Sequence, residues 1–281
     1  MTIAIGIDVG ATKIAAARVE IESGRVLQHE VRSTRPWRDG PAVLDDCVQL
    51  ARLLSAAPDA AVGIGLCELV DERGEIAAAD TIDWLGLDLI AAFAPMAVVV
   101  DSDVRAAARA ESVFGSGRTA REFLYLSVGS GISYCLVTDG EPRLGTHGAA
   151  ILVGAPPVER VASGLAIAHA AGVERAEDAF AASVHDATIE AAASELGRAL
   201  AALANALDPE LIVVGGGLGL VERYRELFAA AARGAMAAEP SLQPPIVPAA
   251  LGRSCGVVGA ALVGGATGRA GRRAVGVARS Q

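Results

Sequence analysis

Four short segments of the chain combine residue types that can bind a nucleotide or move a proton. The first, Gly6–Lys13, ends an apolar run in a turn that contains Asp8, Gly10, Ala11, Thr12 and Lys13. Asp8 supplies a carboxylate, Thr12 a hydroxyl and Lys13 an amine. Glycine lets a ligand approach the backbone, and the N–H groups of such a turn can face a phosphate. Asp8 would repel phosphate directly but could hold a hydrated Mg²⁺ beside it. A hairpin turn with a solvated lysine is the structural alternative, and the Walker A spacing is absent.

Two further glycine turns follow apolar, β-prone runs. One is formed by Gly129, Ser130 and Gly131, and the other ends the segment Leu207–Gly217 with Gly215, Gly216 and Gly217. Bare backbone at the carboxyl end of a buried strand is where α/β folds bind nucleotides. A helix cap alone does not explain three consecutive glycines, whereas an ordinary turn remains the alternative for residues 129–131.

The fourth segment, Asp101-Ser102-Asp103, lies between a buried strand and a helix. A carboxylate at this position can cap the helix, because it accepts hydrogen bonds from the free N–H groups of the first turn. The same position suits a general base at a strand end. Both interpretations stay open on the local sequence.

Composition excludes several classes of protein. The formal net charge of -9 disfavours nucleic acid as a partner. The four cysteines are scattered without metal-ligand spacing, which favours reduced, buried thiols. The longest uncharged stretches, such as Phe123–Thr138, are too short to cross a bilayer, and no signal peptide is recognisable at the N-terminus. A cytoplasmic protein without membrane contact is the expectation. Lys13 is the only lysine among 24 basic residues, which suggests that its amine was retained for its chemistry.

The elements that must position these segments occur in the same pattern twice, each time as a β-meander with a glycine turn, followed by helices and further strands. Strands are predicted over Thr2–Asp8, Ile14–Ile21, Arg25–Arg32, Ala61–Leu66, Ala97–Asp101, Phe123–Val128, Ile132–Thr138, Leu211–Val214 and Ile246–Ala249. Helices are predicted over Pro41–Ser55, Asp88–Phe93, Val104–Phe114, Val158–Ala171, Glu177–Ala182, Ala187–Leu207, Val221–Ala238 and Gly256–Gly264. We expect an N-terminal lobe over residues 1–117 and a C-terminal lobe over 118–281, joined at a hinge near Gly115.

Together the four segments resemble the ROK family of sugar kinases, within the actin/hexokinase/heat-shock-protein-70 superfamily. Asp8, Gly10, Thr12 and Lys13 match its DxGxTK motif, residues 129–133 its second phosphate motif, and 207–217 its adenosine segment. Asp103 falls on the catalytic base of the family. The resemblance implies an α/β, two-lobed actin-like ATPase (ribonuclease H-like) fold, each lobe a mixed sheet flanked by helices, with a cleft between them. It also implies ATP and Mg²⁺ as cofactors, a small sugar acceptor and a homodimer.

The acceptor half departs from the family pattern. Ser102 replaces an Asn, Leu152 and Ala155 replace the Glu and His of the sugar-binding GEIGH motif, and the CxCGxxGC zinc motif is absent, so no zinc is expected. Glu159 and Trp84 match family sugar contacts, and with Ser102, Asp103 and Leu152 they are the predicted substrate-binding residues. Glu68, which is absent from the family pattern, is expected to be solvated.

These departures predict a kinase for an amino, deoxy or otherwise modified sugar rather than plain glucose. A non-catalytic sugar- or nucleotide-binding regulator on the same scaffold is the alternative. An ATPase that activates acyl groups or amino acids is a third hypothesis, supported by fold analogy alone.

Overall fold

The computed structural model describes residues 1–34, 39–151 and 156–266. The chain forms two compact α/β units. Unit 1 consists of Met1–Phe114, Pro142–Ala150 and, from Ser254 on, the last described helix; unit 2 consists of Gly115–Glu141 and Ile151–Arg253. The chain first passes from unit 1 to unit 2 after Phe114, three residues before the expected boundary at residue 117, and it returns to unit 1 in two later segments.

Unit 1 is built on a five-stranded sheet. Its strands are β1 (Ile3–Val9), β2 (Lys13–Glu20), β3 (Arg25–Ser33), β4 (Ala61–Leu66) and β7 (Ala97–Ser102), in the order β3-β2-β1-β4-β7. β1 to β3 form the predicted antiparallel meander, and β1, β4 and β7 run parallel. A separate two-stranded sheet consists of β5 (Leu69–Val70) and β6 (Ile76–Ala78), which the sequence did not predict.

The two faces of the unit 1 sheet are covered differently. Bulky side chains of β1 and β4, such as Ile5, Ile7 and Ile64, belong to one core with α1 (Gly40–Leu54) and α2 (Leu89–Phe93). Against the other face pack α3 (Asp103–Phe114) and α9 (Cys255–Ala266).

Helix α9 contacts the sheet backbone directly. A Cβ atom on Gly6 of β1 would lie 1.8 Å from the carbonyl oxygen of Val257, and one on Gly63 of β4 would lie 1.7 Å from that of Ala260. Real atoms do not approach this closely, so only glycine lets the helix lie this near to the two strands that carry the candidate site.

Unit 2 repeats the topology. β8 (Glu122–Val128), β9 (Ile132–Thr138), β10 (Glu141–Pro142), β11 (Leu211–Gly215) and β12 (Ile246–Pro248) form a sheet in the order β10-β9-β8-β11-β12. β8 and β9 are antiparallel, whereas β8, β11 and β12 are parallel. Its helices are α4 (Pro156–Ala162), α5 (Gly164–Ala171), α6 (Ala176–Ala179), α7 (Asp186–Leu207) and α8 (Glu222–Ala235). The twofold repeat and the two mixed sheets flanked by helices that the sequence predicted are confirmed.

One predicted helix is wrong in a physically simple way. Residues 158–171 form parts of two helices rather than one, and the break falls at Ser163. The Ser163 hydroxyl accepts a hydrogen bond from the Ala166 amide at 3.2 Å, so it caps the second helix. Of the described helices, none has the length and apolarity needed to cross a membrane.

A Gly63→Ala substitution tests whether the backbone contact with α9 holds unit 1 together. Because the added methyl group meets a carbonyl oxygen rather than a flexible side chain, we expect a loss of at least about 3 kcal/mol in the free energy of unfolding. Urea denaturation measures it. The matched control is Gly234→Ala, on an exposed turn of α8 where an added Cβ meets nothing within 4 Å. There we expect a gain of up to about 1 kcal/mol; equal effects of the two substitutions would contradict the close-packing account.

Candidate functional site

Three acidic residues gather where the parallel strands of unit 1 end. Val9 pairs with Leu66, and Leu66 pairs with Ser102, so the carboxyl ends of β1, β4 and β7 lie side by side. Asp8 precedes the first of these ends, Glu68 follows the second and Asp103 follows the third. Both Asp8 and Glu68 act electrostatically on Asp103, so the three side chains form one group.

Asp103 is the first residue of α3 and has the properties of a base that works near neutrality. Its Oδ1 accepts a hydrogen bond from the Val104 amide at 2.6 Å and a long one of 3.5 Å from the Ser102 hydroxyl. Burial, and after it the charge of Asp8, raises the pKa of Asp103 to about 7, although the two hydrogen bonds oppose the shift. Asp103 is thus the first residue of the helix rather than its N-cap, and one of its oxygens binds the first turn while burial raises the pKa of the carboxyl group.

Asp8 lies against the beginning of α9. A Cβ atom on Gly256, the second residue of that helix, would lie 2.3 Å from Asp8 Oδ2, so a glycine makes room for the carboxylate. The position is favourable because the positive end of the helix dipole attracts an anion. Burial nevertheless raises the pKa of Asp8 to about 6, and the charge of Lys13 opposes the shift.

The turn between β1 and β2 is held by Thr34, a residue that the sequence analysis missed. The Thr34 hydroxyl donates to the Gly10 carbonyl at 2.8 Å, and the Thr34 amide donates to the Thr12 carbonyl at 3.1 Å. Among the described residues, a Cβ on Gly10 would meet only the Lys13 carbonyl oxygen, at 3.5 Å, which is an ordinary contact. Packing against the described residues therefore does not require glycine at this position.

Glu68 is not solvated, contrary to expectation; it is 3% exposed. Its two carboxylate oxygens accept hydrogen bonds from the backbone amides of Asp80, Thr81 and Ile82. Because these amides use both oxygens, Glu68 is not placed to pair with an amino group of a ligand.

Arg105 is a buried positive charge that the sequence analysis did not single out. It is fully buried on α3, and its Nε donates to Asp101 Oδ1 at 2.7 Å. Its other nitrogens donate to the carbonyl oxygens of Val70, at 2.6 Å, and Gly148, at 3.3 Å. The i, i+4 spacing of Asp101 and Arg105 at the start of a helix was the available signal.

Unit 2 brings its two glycine turns together. Gly215, at the end of β11, pairs with Ser127 near the end of β8. The amides of Leu218 and Gly219 both donate to the Val128 carbonyl, at 3.0 and 2.9 Å. Gly216 has φ +79, and a Cβ there would lie 2.3 Å from that same carbonyl oxygen, so the fold itself requires this glycine.

The turn over residues 129–131 is fixed from two sides. The amide of Gly164, at the start of α5, donates to the Gly129 carbonyl at 2.7 Å. Glu159 Oε1 accepts from the Ile132 amide at 3.1 Å, so this predicted acceptor contact also supports the turn. A Cβ on Gly129 would meet no atom of the described residues within 4 Å.

Two predicted substrate-binding residues are buried within unit 1. Ser102 is fully buried, and its hydroxyl donates to Asp103, so it orients the carboxylate. Trp84 is 4% exposed in the core, and its indole N–H has no hydrogen-bond partner among the described residues. Leu152 and Ala155 lie outside the described residues. Direct contact of these residues with an acceptor stays a prediction.

In the described part of the chain, no group of three or more His, Cys, Asp or Glu side chains could hold a metal ion. None of the four cysteines forms a disulfide bond; Cys67 is partly buried and the other three are buried. Burial raises the pKa of the Cys67 thiol, and the charges of Asp103 and Glu68 raise it further, so this thiol next to the acidic group stays protonated.

The doubled sheet topology and the glycine turns at strand ends are those of the actin-like α/β proteins. The crystal structure of a ROK family glucokinase from Streptomyces griseus, in complex with glucose and AMPPNP, has a TM-score of 0.83 and 27% identity, covering 92% of this chain and 98% of that one. The ROK family model matches residues 4–265. This chain belongs to the ROK family.

Curated relatives agree with this assignment. A glucokinase from Halalkalibacterium halodurans is 30% identical over 76% of this chain and 80% of its own length. The bifunctional enzyme NanE/NanK of Brucella suis is 34% identical over 60% of this chain, and the match spans 34% of that enzyme. The chain thus corresponds to about a third of the bifunctional relative.

The elevated pKa of Asp103 predicts a pH-dependent change in stability. The folded protein binds this proton more tightly than the unfolded chain, so ionisation of Asp103 costs stability above pH 7, and the cost disappears as the pH falls toward 4. We expect Asp103→Asn to stabilise the protein at pH 8 by about 1–3 kcal/mol, with little effect at pH 4.5. Thermal unfolding at the two pH values measures the difference. The control is exposed Asp59→Asn; a gain for Asp103→Asn that is equal at both pH values would contradict the assignment.

Proposed function

We propose that the chain is an ATP-dependent kinase that phosphorylates a hydroxyl group of a sugar, with Asp103 as the general base. The observation that carries the proposal is the position of the Asp103 carboxyl group, which directly follows β7 at the start of α3; burial and the charge of Asp8 raise its pKa to about 7. A base is most efficient when its pKa lies near the working pH. The ROK relatives that carry the name glucokinase support the same reaction class.

In the proposed reaction, Asp103 removes the proton from the acceptor hydroxyl as its oxygen attacks the γ-phosphorus of ATP. The new oxygen–phosphorus bond forms while the bond between the γ-phosphorus and the β–γ bridging oxygen breaks, and ADP leaves with that electron pair. The remaining catalysis consists of positioning and of neutralising the phosphoryl charge. Ser102, which donates to Asp103, holds the carboxylate in place.

We propose that the turn over residues 10–12, together with Lys13, and the turns over 129–131 and 215–217 bind the ATP phosphates and adenosine. In support, packing against the described residues requires glycine neither at position 10 nor at position 129, which is consistent with a closely approaching ligand at both turns. Lys13 is exposed and bears the only lysine amine of the chain.

Asp8 is the carboxylate that fits a magnesium ion delivered with ATP. Mg²⁺ keeps several waters and is held by one or two carboxylates together with substrate phosphates. One carboxylate beside the phosphate turn satisfies that need, and its neighbour Lys13 favours the ionised form. When bound, the ion would neutralise the phosphate charge.

The acceptor is proposed to be an amino, deoxy or otherwise modified hexose rather than plain glucose. Ser102 is buried where the family pattern has a sugar-binding Asn, and the oxygens of Glu68 are engaged by backbone amides. A sugar hydroxyl left without a partner costs about 1–3 kcal/mol, so recognition of plain glucose would suffer. The homodimer remains a prediction from the family resemblance, and the cytoplasmic location remains a prediction from the sequence composition.

A coupled ADP-release assay across hexoses, aminosugars and deoxysugars tests the reaction. We expect one acceptor class to stimulate turnover, with kcat/KM rising through about pH 7 as Asp103 ionises. Asp103→Asn should lower kcat by about 10²–10⁴-fold while ATP binding, measured by calorimetry, is retained. Full activity of Asp103→Asn would show that another group is the base.

A non-catalytic sugar- or nucleotide-binding regulator is the second candidate, favoured by the burial of Ser102 and Trp84. The same assay separates the two functions. If ATP binds but no sugar of the panel stimulates ADP release, the kinase proposal fails and the regulator is favoured.

The single lysine allows ATP binding to be tested without an acceptor. An amine-reactive acylating reagent can modify Lys13 and the α-amino group of Met1, and peptide mass spectrometry distinguishes them. ATP at ten times its Kd should slow acylation of Lys13 about tenfold, because only the free fraction reacts, and should not affect Met1. Equal acylation of Lys13 with and without ATP would contradict the proposed phosphate turn.

Gly10→Ala sharpens this test. Because its methyl group meets only an oxygen at 3.5 Å, we expect the unfolding midpoint to stay the same. The Kd for ATP, read from Lys13 protection, should rise at least about tenfold, which corresponds to about 1.4 kcal/mol.

A further inference from the structure

Three consecutive backbone amides converge on one buried carboxylate in unit 1. Glu68 Oε1 accepts from Ile82 at 2.7 Å and from Thr81 at 3.1 Å, and Oε2 accepts from Asp80 at 2.9 Å and from Thr81 at 3.2 Å. Successive amides that face one anion form a concave anion site. Here the anion is a side chain of the protein itself, and it fixes the backbone of a loop 12 to 14 residues further along the chain.

The loop that contains residues 80–84 is attached to the rest of unit 1 on two sides. Glu68 follows β4, and the adjacent Cys67 amide donates to the Val9 carbonyl at 3.1 Å, which ties this segment to the end of β1. On the other side, Ile82 and Trp84 are 1% and 4% exposed in the core that includes α1 and α2. The Glu68 carboxylate therefore connects the loop to the strand ends that carry Asp103.

The same loop exposes two carboxylates. Asp80 and Asp83 are exposed while Ile82 and Trp84, which alternate with them, are buried. Carboxylates accept hydrogen bonds from hydroxyl or ammonium groups, so the exposed side chains suit contacts to a sugar. Their positions depend on the backbone that Glu68 holds.

We propose that Glu68 is a positioning residue for the acceptor: its carboxylate holds the Asp80–Trp84 loop at the strand ends beside Asp103, and the loop contacts the sugar. This inference rests on the proposed kinase function. Glu68 is not a catalytic residue in this account, because its oxygens are engaged by backbone amides and it is 3% exposed.

The first experiment needs no turnover. Glu68→Gln keeps the shape of the side chain but replaces one acceptor oxygen with an amide nitrogen, which cannot accept a hydrogen bond from a backbone N–H. Hydrogen–deuterium exchange of the peptide that contains residues 80–84 should become at least about tenfold faster, while exchange in unit 2 should stay the same. Unchanged exchange of this peptide would overturn the proposal.

The second experiment separates positioning from a merely structural role. If an acceptor has been found, Glu68→Gln should raise its KM at least about tenfold with little change in the KM for ATP, because only acceptor contacts depend on the loop. The matched control is Glu72→Gln, which removes the same charge from an exposed residue four positions further on and should change neither constant. An equal loss in both KM values, or none in either, would overturn the proposal.

The two experiments distinguish the possible failures. A raised acceptor KM without faster exchange would mean that Glu68 contacts the sugar itself, which overturns the positioning role. If the wild-type protein shows no acceptor-stimulated turnover, the kinase function fails and this role for Glu68 fails with it, even where exchange shows that the loop is held.

Discussion

The architecture of unit 1 depends on a contact that only glycine permits, between α9 and the parallel strands β1 and β4. The carbonyl oxygens of Val257 and Ala260 occupy the space where side chains of Gly6 and Gly63 would otherwise stand. Since the first turn of α9 reaches Asp8 in the same way, through Gly256, this packing also determines the surroundings of the acidic group. Helix α9, near the C-terminal end of the described chain, therefore determines the surroundings of Asp8, near its N-terminal end.

This packing explains why the acids of unit 1 have unusual pKa values. Helices pack against both faces of the sheet, and a carboxylate that is partly withdrawn from water ionises with difficulty. Burial raises the pKa of Asp8 to about 6 and that of Asp103 to about 7. Ionisation of these two carboxyl groups lowers the free energy of unfolding, and strongly shifted pKa values of this kind are common at functional sites.

The sequence predicted the parts of the molecule that local pattern determines. The β-meanders, most of the helices and the two glycine turns of unit 2 were recognisable because each is coded within a dozen residues. Glu68 was predicted wrongly for the opposite reason: its partners are backbone amides 12 to 14 residues away, and no side chain at those positions signals that an amide will donate to it. The roles of Thr34 and Arg105 were hidden likewise, since both bind carbonyl oxygens that any residue could supply.

The three acids also show why only one of them suits the role of base. Glu68 receives backbone hydrogen bonds on both oxygens and is buried, so its carboxylate is engaged by the protein. Asp8 lies against α9, with Lys13 favouring its ionised form, an arrangement that suits a ligand for a cation better than a proton acceptor. Asp103 accepts hydrogen bonds from the Val104 amide and the Ser102 hydroxyl on the same oxygen, Oδ1, and the charge of Asp8 raises its affinity for a proton. Neighbouring carboxyl groups whose environments differ in this way can take different chemical roles, and this difference supports the proposed role of Asp103 as the base.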